Sequence, residues 1–280
     1  MKIKEVKLLA NNIRIDIIKM LNQAKSGHTA GPLGMSDLFA VLYGEFLKFD
    51  PKKPQDKKRD YVILSNGHTC PVLYSTLARF NYFPISELKT LRKLGSRLQG
   101  HPHIGALPGV ENSGGPLGQG FSQAVGLAAS LKRENKENKV FCFTGDGELD
   151  EGQCWEAALF AAKEKLDNLT IIVDRNHIQI DGTTDDVLPL HHLNKKFLSF
   201  DFAVIEFDGN NIGQIREAFK QANKIKDKPV CLIAKTTPGK GVSFMENDFH
   251  WHGVAPSDQD TQLALKELAE IEKNIIGGKA

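Results

Sequence analysis

Five short, mostly apolar runs punctuate the chain at residues 60–65, 140–144, 169–173, 202–207 and 230–235, with helix-length segments between most of them. An unbroken apolar run of this length suits a strand covered on both faces. Such strands alternating with helices build a parallel sheet. Between and around them, residues 3–24 carry Ile3, Val6, Leu9, Ile13, Ile17 and Met20, the spacing of an amphipathic helix. Further helices are expected at about 35–48 after Gly31-Pro32, at 71–80 with Pro71 in its first turn, over a small-residue stretch ending near Glu134, and at about 151–165, 211–225 and 258–275. The last stops at Gly277-Gly278, a helix-ending signal. Residues 100–120, with seven glycines, form a long loop whose order composition does not decide. The expected fold class is α/β, a parallel sheet covered by helices on both faces, with residues 1–280 as one domain.

Bulk properties narrow the function. Thirty-six basic and 34 acidic residues leave a net charge of +2, so neither nucleic acid nor an anionic membrane is an expected partner. The basic run from Lys52 to Arg59 reads as a solvated loop. Lys7, Arg14 and Lys19 break up any signal-like apolar core at the N-terminus, and no stretch approaches the roughly 20 apolar residues of a membrane span. Cys70, Cys142, Cys154 and Cys231 form no C-x-x-C pair. They read as buried, reduced thiols of a cytoplasmic protein.

Ligands of open parallel sheets bind beyond the carboxyl ends of the strands. Three strand ends here are unusually polar: Asn66-Gly67-His68, Gly145-Asp146-Gly147 and Asp174-Arg175-Asn176. One helix joins the last two strands, so they can be neighbours. Asp146 and Asn176 then offer a carboxylate and an amide oxygen, hard ligands for Mg2+ or Ca2+. Gly145 and Gly147 allow close backbone approach, and a helix start beyond Gly147 favours anions. These features fit a metal-bridged diphosphate site. Equally, G-D-G taken alone fits a tight turn with Asp146 as a helix cap. A dinucleotide-binding reading fails, because no G-x-G-x-x-G follows the first strand and Glu, Leu and Asp follow G-D-G.

The longer string resolves more. Residues 145–182, GDGELDEGQCWEAALFAAKEKLDNLTIIVDRNHIQIDG, resemble the thiamine diphosphate motif, which opens on G-D-G and closes near an Asn about thirty residues on. In detail they are similar to transketolases. SGHTAGPLGMSD (26–37), LSNGHTCPVLYS (64–75), LQGHP (98–102), SGGPLGQG (113–120) and KGVSFMENDFHWHG (240–253) resemble transketolase active-site loops, in family order, across nearly the whole chain. The resemblance implies the diphosphate-type domain of the thiamine diphosphate-binding fold. It assigns Asp146 and Asn176 to the metal by side chain and Ile178 by its carbonyl. Gly147 would meet the diphosphate; His68, Gly115, Pro116, Leu117, Asn176, Ile180 and His252 would contact the cofactor. His28, His68, His101 and His252 would be the catalytic histidines lining the thiazolium and the sugar hydroxyls. Imidazoles suit that task because each donates or accepts a proton near neutral pH. Of His250 and His252, W-H-G favours His252; His103, His177, His191 and His192 are expected to lie away from the site. Glu151 and Glu156 resemble carboxylates at a subunit interface linking paired active sites, and an exposed helix face explains them as well.

The implied cofactors are thiamine diphosphate and Mg2+, with Ca2+ or Mn2+ as substitutes. The implied reaction is two-carbon ketol transfer between sugar phosphates in carbohydrate metabolism, of the pentose phosphate type. No pyrimidine-binding domain follows, so the expected partner is a C-terminal pyrimidine-domain transketolase subunit in an α2β2 heterotetramer. Two departures leave the sugar preference open: Thr29 in SGHT, where many relatives have SGHP, and Pro238, where some carry Lys. Other readings are the corresponding half of a 1-deoxyxylulose-phosphate synthase-like or 2-oxo acid decarboxylating enzyme, or a non-catalytic cofactor-binding subunit. The four matched histidines favour transketolase, since sugar hydroxyls need several hydrogen-bonding partners.

Overall fold

The computed structural model describes residues 1–278. Helices α1 (Ile3–Ala24), α2 (Ala30–Val41) and α3 (Cys70–Arg79) flank strand β1 (Tyr61–Leu64) in sequence. Then come α4 (Gln119–Arg133), β2 (Val140–Gly145), α5 (Gly152–Lys163) and β3 (Leu169–Arg175). A small antiparallel hairpin, β4 (Ile178–Gln179) and β5 (Gly182–Thr183), leads into short helices α6 (Thr184–Val187) and α7 (Leu193–Ser199). Strand β6 (Ala203–Asp208), helix α8 (Ile212–Ala222), strand β7 (Val230–Lys235) and helix α9 (Asp258–Ile276) complete the order. The main sheet is β1-β2-β3-β7-β6, with every pair parallel.

Successive side chains of a strand face opposite ways. Phe141 and Phe143 of β2 therefore join one core with α1, α2, α3, α8 and α9, where Phe143 stacks on Phe39 at 4.4 Å between ring centroids. Val140 and Cys142 join the other core, against α4, α5 and α7. That second core is built on Ala124, Ala128, Ala157, Ala158 and Ala161, small residues that let two helices pack close to the sheet. Burying a side chain the size of Phe143 contributes about 2–3 kcal/mol. The two covered faces are what the continuous apolar runs require.

Several boundaries differ from the sequence expectation. Helix α2 begins at Ala30, so Pro32 stands in its first turn, where a missing N–H costs nothing; a π-helical turn follows at Leu42–Phe46. Gly147 opens onto a short 3-10 turn, Gly147–Asp150, and α5 starts only at Gly152. α5 thus starts within a residue of the expected 151, and it is the 3-10 turn that Gly147 itself opens onto. The β4–β5 hairpin, α6 and α7 are too short to leave a periodic signature. The glycine-rich segment 100–120 is anchored: Asn112 exchanges two 3.1 Å hydrogen bonds with the backbone of Leu64, and Gly114 N donates to Pro102 O at 2.9 Å.

Candidate active site

The register of β2 on β3 pairs Gly145 with Asp174. The polar tails beyond these strands are thereby level, and Asp146 comes to lie beside Arg175 and His177. Asp146 is buried; its Oδ1 accepts Gly147 N at 2.8 Å, and its Oδ2 accepts His177 N at 2.8 Å and Arg175 Nη1 at 3.1 Å. Burial pushes its carboxyl up to about 6, against the pull of Arg175 and these amides. Asp174, near the end of β3, and Asn176, just beyond it, form a pair: Asn176 Nδ2 donates to Asp174 Oδ2 at 2.8 Å. Thr236 Oγ1 holds the other oxygen of Asp174, whose carboxyl burial drives up to about 7. This pairing orients the Asn176 amide, whose Oδ1 accepts Ile178 N at 3.0 Å and retains a second lone pair.

These residues floor a cleft of about 330 Å³ that also takes in His28, Asn66, His68, His101, Gly115, Leu117, Gly147, Glu148, Gln179, Ile180 and His252. Its upper end is a histidine triangle. The rings of His28, His68 and His252 lie 4.9, 5.2 and 5.5 Å apart between centroids. Burial lowers His28 to about 4, helped by the charges of His252, Arg92 and His101. Burial also lowers His68 well below its ordinary value, and lowers His101 and His252. Each of these shifts favours the neutral imidazole. Nδ1 of His28, Nδ1 of His252 and Oδ1 of Asn66 are buried with no hydrogen-bond partner among the described residues. Such atoms need a ligand or water to satisfy them.

The loops bearing these groups are tied together. Thr29 Oγ1 donates to Val254 O at 2.6 Å, linking the His28 loop to the His252 loop. This is a bond that a proline at position 29 could not make. Gly67 meets the glycine loop so closely that a Cβ there would lie 2.9 Å from Gly115 N and 3.1 Å from Gly114 Cα. Glu148, buried and facing the cleft, accepts from Gly118 N at 2.7 Å, Thr144 Oγ1 at 2.8 Å, Gly145 N at 3.0 Å and Ser65 Oγ. It joins the ends of β1 and β2 to the start of α4.

The structure thus brings His28, His68, His101, Gly115, Leu117, Asp146, Gly147, Asn176, Ile178, Ile180 and His252 into one cleft. Pro116, between two lining residues, is exposed and does not line it. Glu151 caps α5 and Glu156 lies along it, both exposed and outside the cleft. His250 is turned out to Asp248, at 2.7 Å, while His252 faces in. His177, His191 and His192 line a separate surface pocket beside Lys235. Sequence reasoning passed over Asn66, Glu148, Asp174 and Gln179 as site residues. The place of Asp174 two residues before Asn176 in the same polar strand end was a usable signal for Asp174; the others depend on long-range packing.

Comparison with known proteins identifies the family of the chain. Residues 5–273 match the family described as transketolase, thiamine diphosphate binding domain. The 6-deoxy-6-sulfo-D-fructose transketolase subunit SqwG of a Clostridium species is 38% identical over 92% of this chain and 94% of its own. One of the subunits of the apulose-4-phosphate transketolase of Phocaeicola vulgatus is 36% identical over 98% of this chain and 97% of its own. The crystal structure of transketolase from Campylobacter jejuni superimposes with a TM-score of 0.90 at 33% identity, over 98% of this chain and 46% of that longer one. The chain thus spans under half of that transketolase but nearly all of the two subunits, and by the extent of these matches it belongs to the transketolase family, in its thiamine diphosphate binding domain.

Proposed function

We propose that this chain binds thiamine diphosphate through Mg2+ and, with a pyrimidine-domain partner subunit, transfers a two-carbon ketol unit from a ketose phosphate to an aldose phosphate. The observation that carries the proposal is a single cleft with hard oxygen donors, Asp146 and Asn176, on its floor and a cluster of four histidines above. The donor set suits Mg2+: one carboxylate and one amide oxygen, with the Ile178 carbonyl nearby and the rest of the shell left to diphosphate oxygens and water. Gly115 and Gly147 line the same floor without side chains, and the unpartnered Asn66 Oδ1, His28 Nδ1 and His252 Nδ1 await polar groups. The residues fit the cofactor.

When bound, the cofactor supplies the carbanion chemistry of the carbon–carbon bond exchange. This chain's part is to hold and orient. Asp146 and Asn176 fix the metal, Gly147 admits the diphosphate, and Asp174 keeps the Asn176 oxygen turned to the cleft. His28, His68, His101 and His252, being neutral, accept protons from sugar hydroxyls or donate to their oxygens without placing fixed positive charge there. Glu151, Glu156 and the exposed Leu159 and Phe160 of α5 form the face proposed to meet another subunit in an α2β2 assembly. The described residues, 1–278, act as one domain. The four buried, unpaired cysteines suit a cytoplasmic setting, and no described helix is long and apolar enough to cross a membrane.

Calorimetric titration of thiamine diphosphate with Mg2+ tests the floor of the site. Asp146→Ala should lower metal-dependent affinity at least about a hundredfold. Unchanged Mg2+-dependent binding in that variant would remove Asp146 from the site.

A further inference from the structure

Arg175 is an unusual neighbour for a metal ligand. Its side chain is 8% exposed, and its Nη1 lies 3.1 Å from Asp146 Oδ2 and 3.2 Å from Thr184 Oγ1. Its other carboxylate neighbour, Asp185 at 3.7 Å, is 66% exposed and therefore screened by solvent. The buried charge that Arg175 faces is thus Asp146. Of the other carboxylates lining the cleft, Asp174 is engaged by Asn176 and Thr236, Glu148 by four donors, and Asp181 is exposed and screened by solvent. Asn176 and the Ile178 carbonyl bring no charge. Counted at Asp146, the donor set is neutral before any cation arrives.

We propose that Arg175 is a positioning residue that makes metal binding conditional on the diphosphate. By neutralising Asp146, it denies a bare divalent cation the charge needed to leave water, while holding the carboxylate in place for a cation that arrives with diphosphate oxygens. The inference rests on the assignment of Asp146 to the metal. Its physical basis is that a buried cation needs compensating charge, and here the protein has already used its own. A diphosphate restores two or more negative charges at the same floor. Thr184 and the α6 turn hold the guanidinium, so its charge is fixed relative to Asp146 rather than free to swing into solvent.

The experiment is Mn2+ binding to the full chain, counted by electron paramagnetic resonance of the free ion after addition of Mn2+ alone. Wild type should bind Mn2+ alone weakly, and saturating thiamine diphosphate should raise the affinity. Arg175→Gln should tighten binding of Mn2+ alone by about tenfold or more, since one unit of charge a few ångströms away is removed. Arg175→Lys, which keeps the charge, should stay within about threefold of wild type. The sign is diagnostic, because a residue that served only to support the loop would weaken Mn2+ binding when removed. Arg175→Gln binding Mn2+ alone no more tightly than wild type overturns the proposal. Adding Asp146→Asn to Arg175→Gln should abolish the gain. A gain that persists means the ion sits elsewhere and the site assignment fails, an outcome distinct from the first. If Arg175→Gln does not fold, Arg175→Met, uncharged and of similar length, serves with the same expectation, and binding of Mn2+ alone no tighter than wild type overturns the proposal.

Discussion

Replacing Glu148 by glutamine tests whether a buried carboxylate with no cation beside it organises the floor of the cleft. The Glu148 oxygens receive two donors each: Ser65 Oγ and Gly118 N on one, Thr144 Oγ1 and Gly145 N on the other. Glutamine is nearly isosteric but keeps only one acceptor oxygen. Its NH2 must face either Gly118 N or Gly145 N, backbone donors that cannot turn away, whereas the hydroxyls can rotate. One buried N–H is then unsatisfied, at about 1–3 kcal/mol, and the remaining hydrogen bonds lose their charge assistance, about 1 kcal/mol more each. Relief is available too. Burial already raises the Glu148 carboxyl above its ordinary range, so removing the charge recovers part of that penalty. The net expectation is a loss of about 2–4 kcal/mol, a large share of a typical domain's stability. Urea unfolding reads it as a lower midpoint at unchanged slope. Because Gly145 lines the cleft and Gly118 follows the lining Leu117, loss of either bond disturbs the cleft, and thiamine diphosphate affinity should fall as well. A change below about 0.5 kcal/mol with cofactor affinity intact would refute the reasoning and leave Glu148 a bystander.

Other expectations follow from the same geometry. In Gly67→Ala the new methyl meets Gly115 N at 2.9 Å, a backbone atom that can yield only by moving the glycine loop; about 1–3 kcal/mol of stability should be lost, with weaker cofactor binding measured by calorimetry. His28→Ala should fold and bind cofactor but turn over more slowly in a complemented assay, and a collapse of its melting temperature would make His28 structural. The lowered value of His28, about 4, has a signed consequence. The unfolded chain protonates this ring below about pH 6.5 while the folded chain does not, so its contribution to stability is lost as pH falls from about 6.5 towards 4. At pH 5 the loss is about 2 kcal/mol relative to pH 7.5. Asp146 and Asp174, raised by burial, act in the opposite sense over that range, so the term is read as the difference between wild type and His28→Gln. A difference that does not change with pH contradicts it.

The sheet was legible because each strand leaves its mark locally. An apolar run such as Val140–Thr144, buried throughout by the covered faces, declares itself without knowledge of its neighbours. The site was legible through its strand ends and, far more, through the order of its loops. What the sequence left hidden depends on distances between remote segments. Glu148 reads as one more residue of a turn until Ser65 and Gly118 are brought beside it, 83 and 30 positions away. Asn66 stands out only when its amide oxygen is found buried and unpartnered. Arg175 looked like part of a polar strand end, and its meaning depends on the register that pairs Gly145 with Asp174. Short elements, the β4–β5 hairpin and the α6 and α7 turns, escaped because a helix or strand of a few residues has no period to detect.

The central claim is that this chain supplies the metal and diphosphate half of a two-chain transketolase. The most direct measurement is ketol transfer from xylulose 5-phosphate to ribose 5-phosphate, with thiamine diphosphate and Mg2+, for this chain alone and after addition of the product of the adjacent gene, tested as its pyrimidine-domain partner. The expected result is no transfer from the chain alone, transfer from the mixture, and none when the mixture contains Asp146→Ala. Release of CO2 from a 2-oxo acid by the mixture without exchange between sugar phosphates, or full activity with Asp146→Ala, would contradict it.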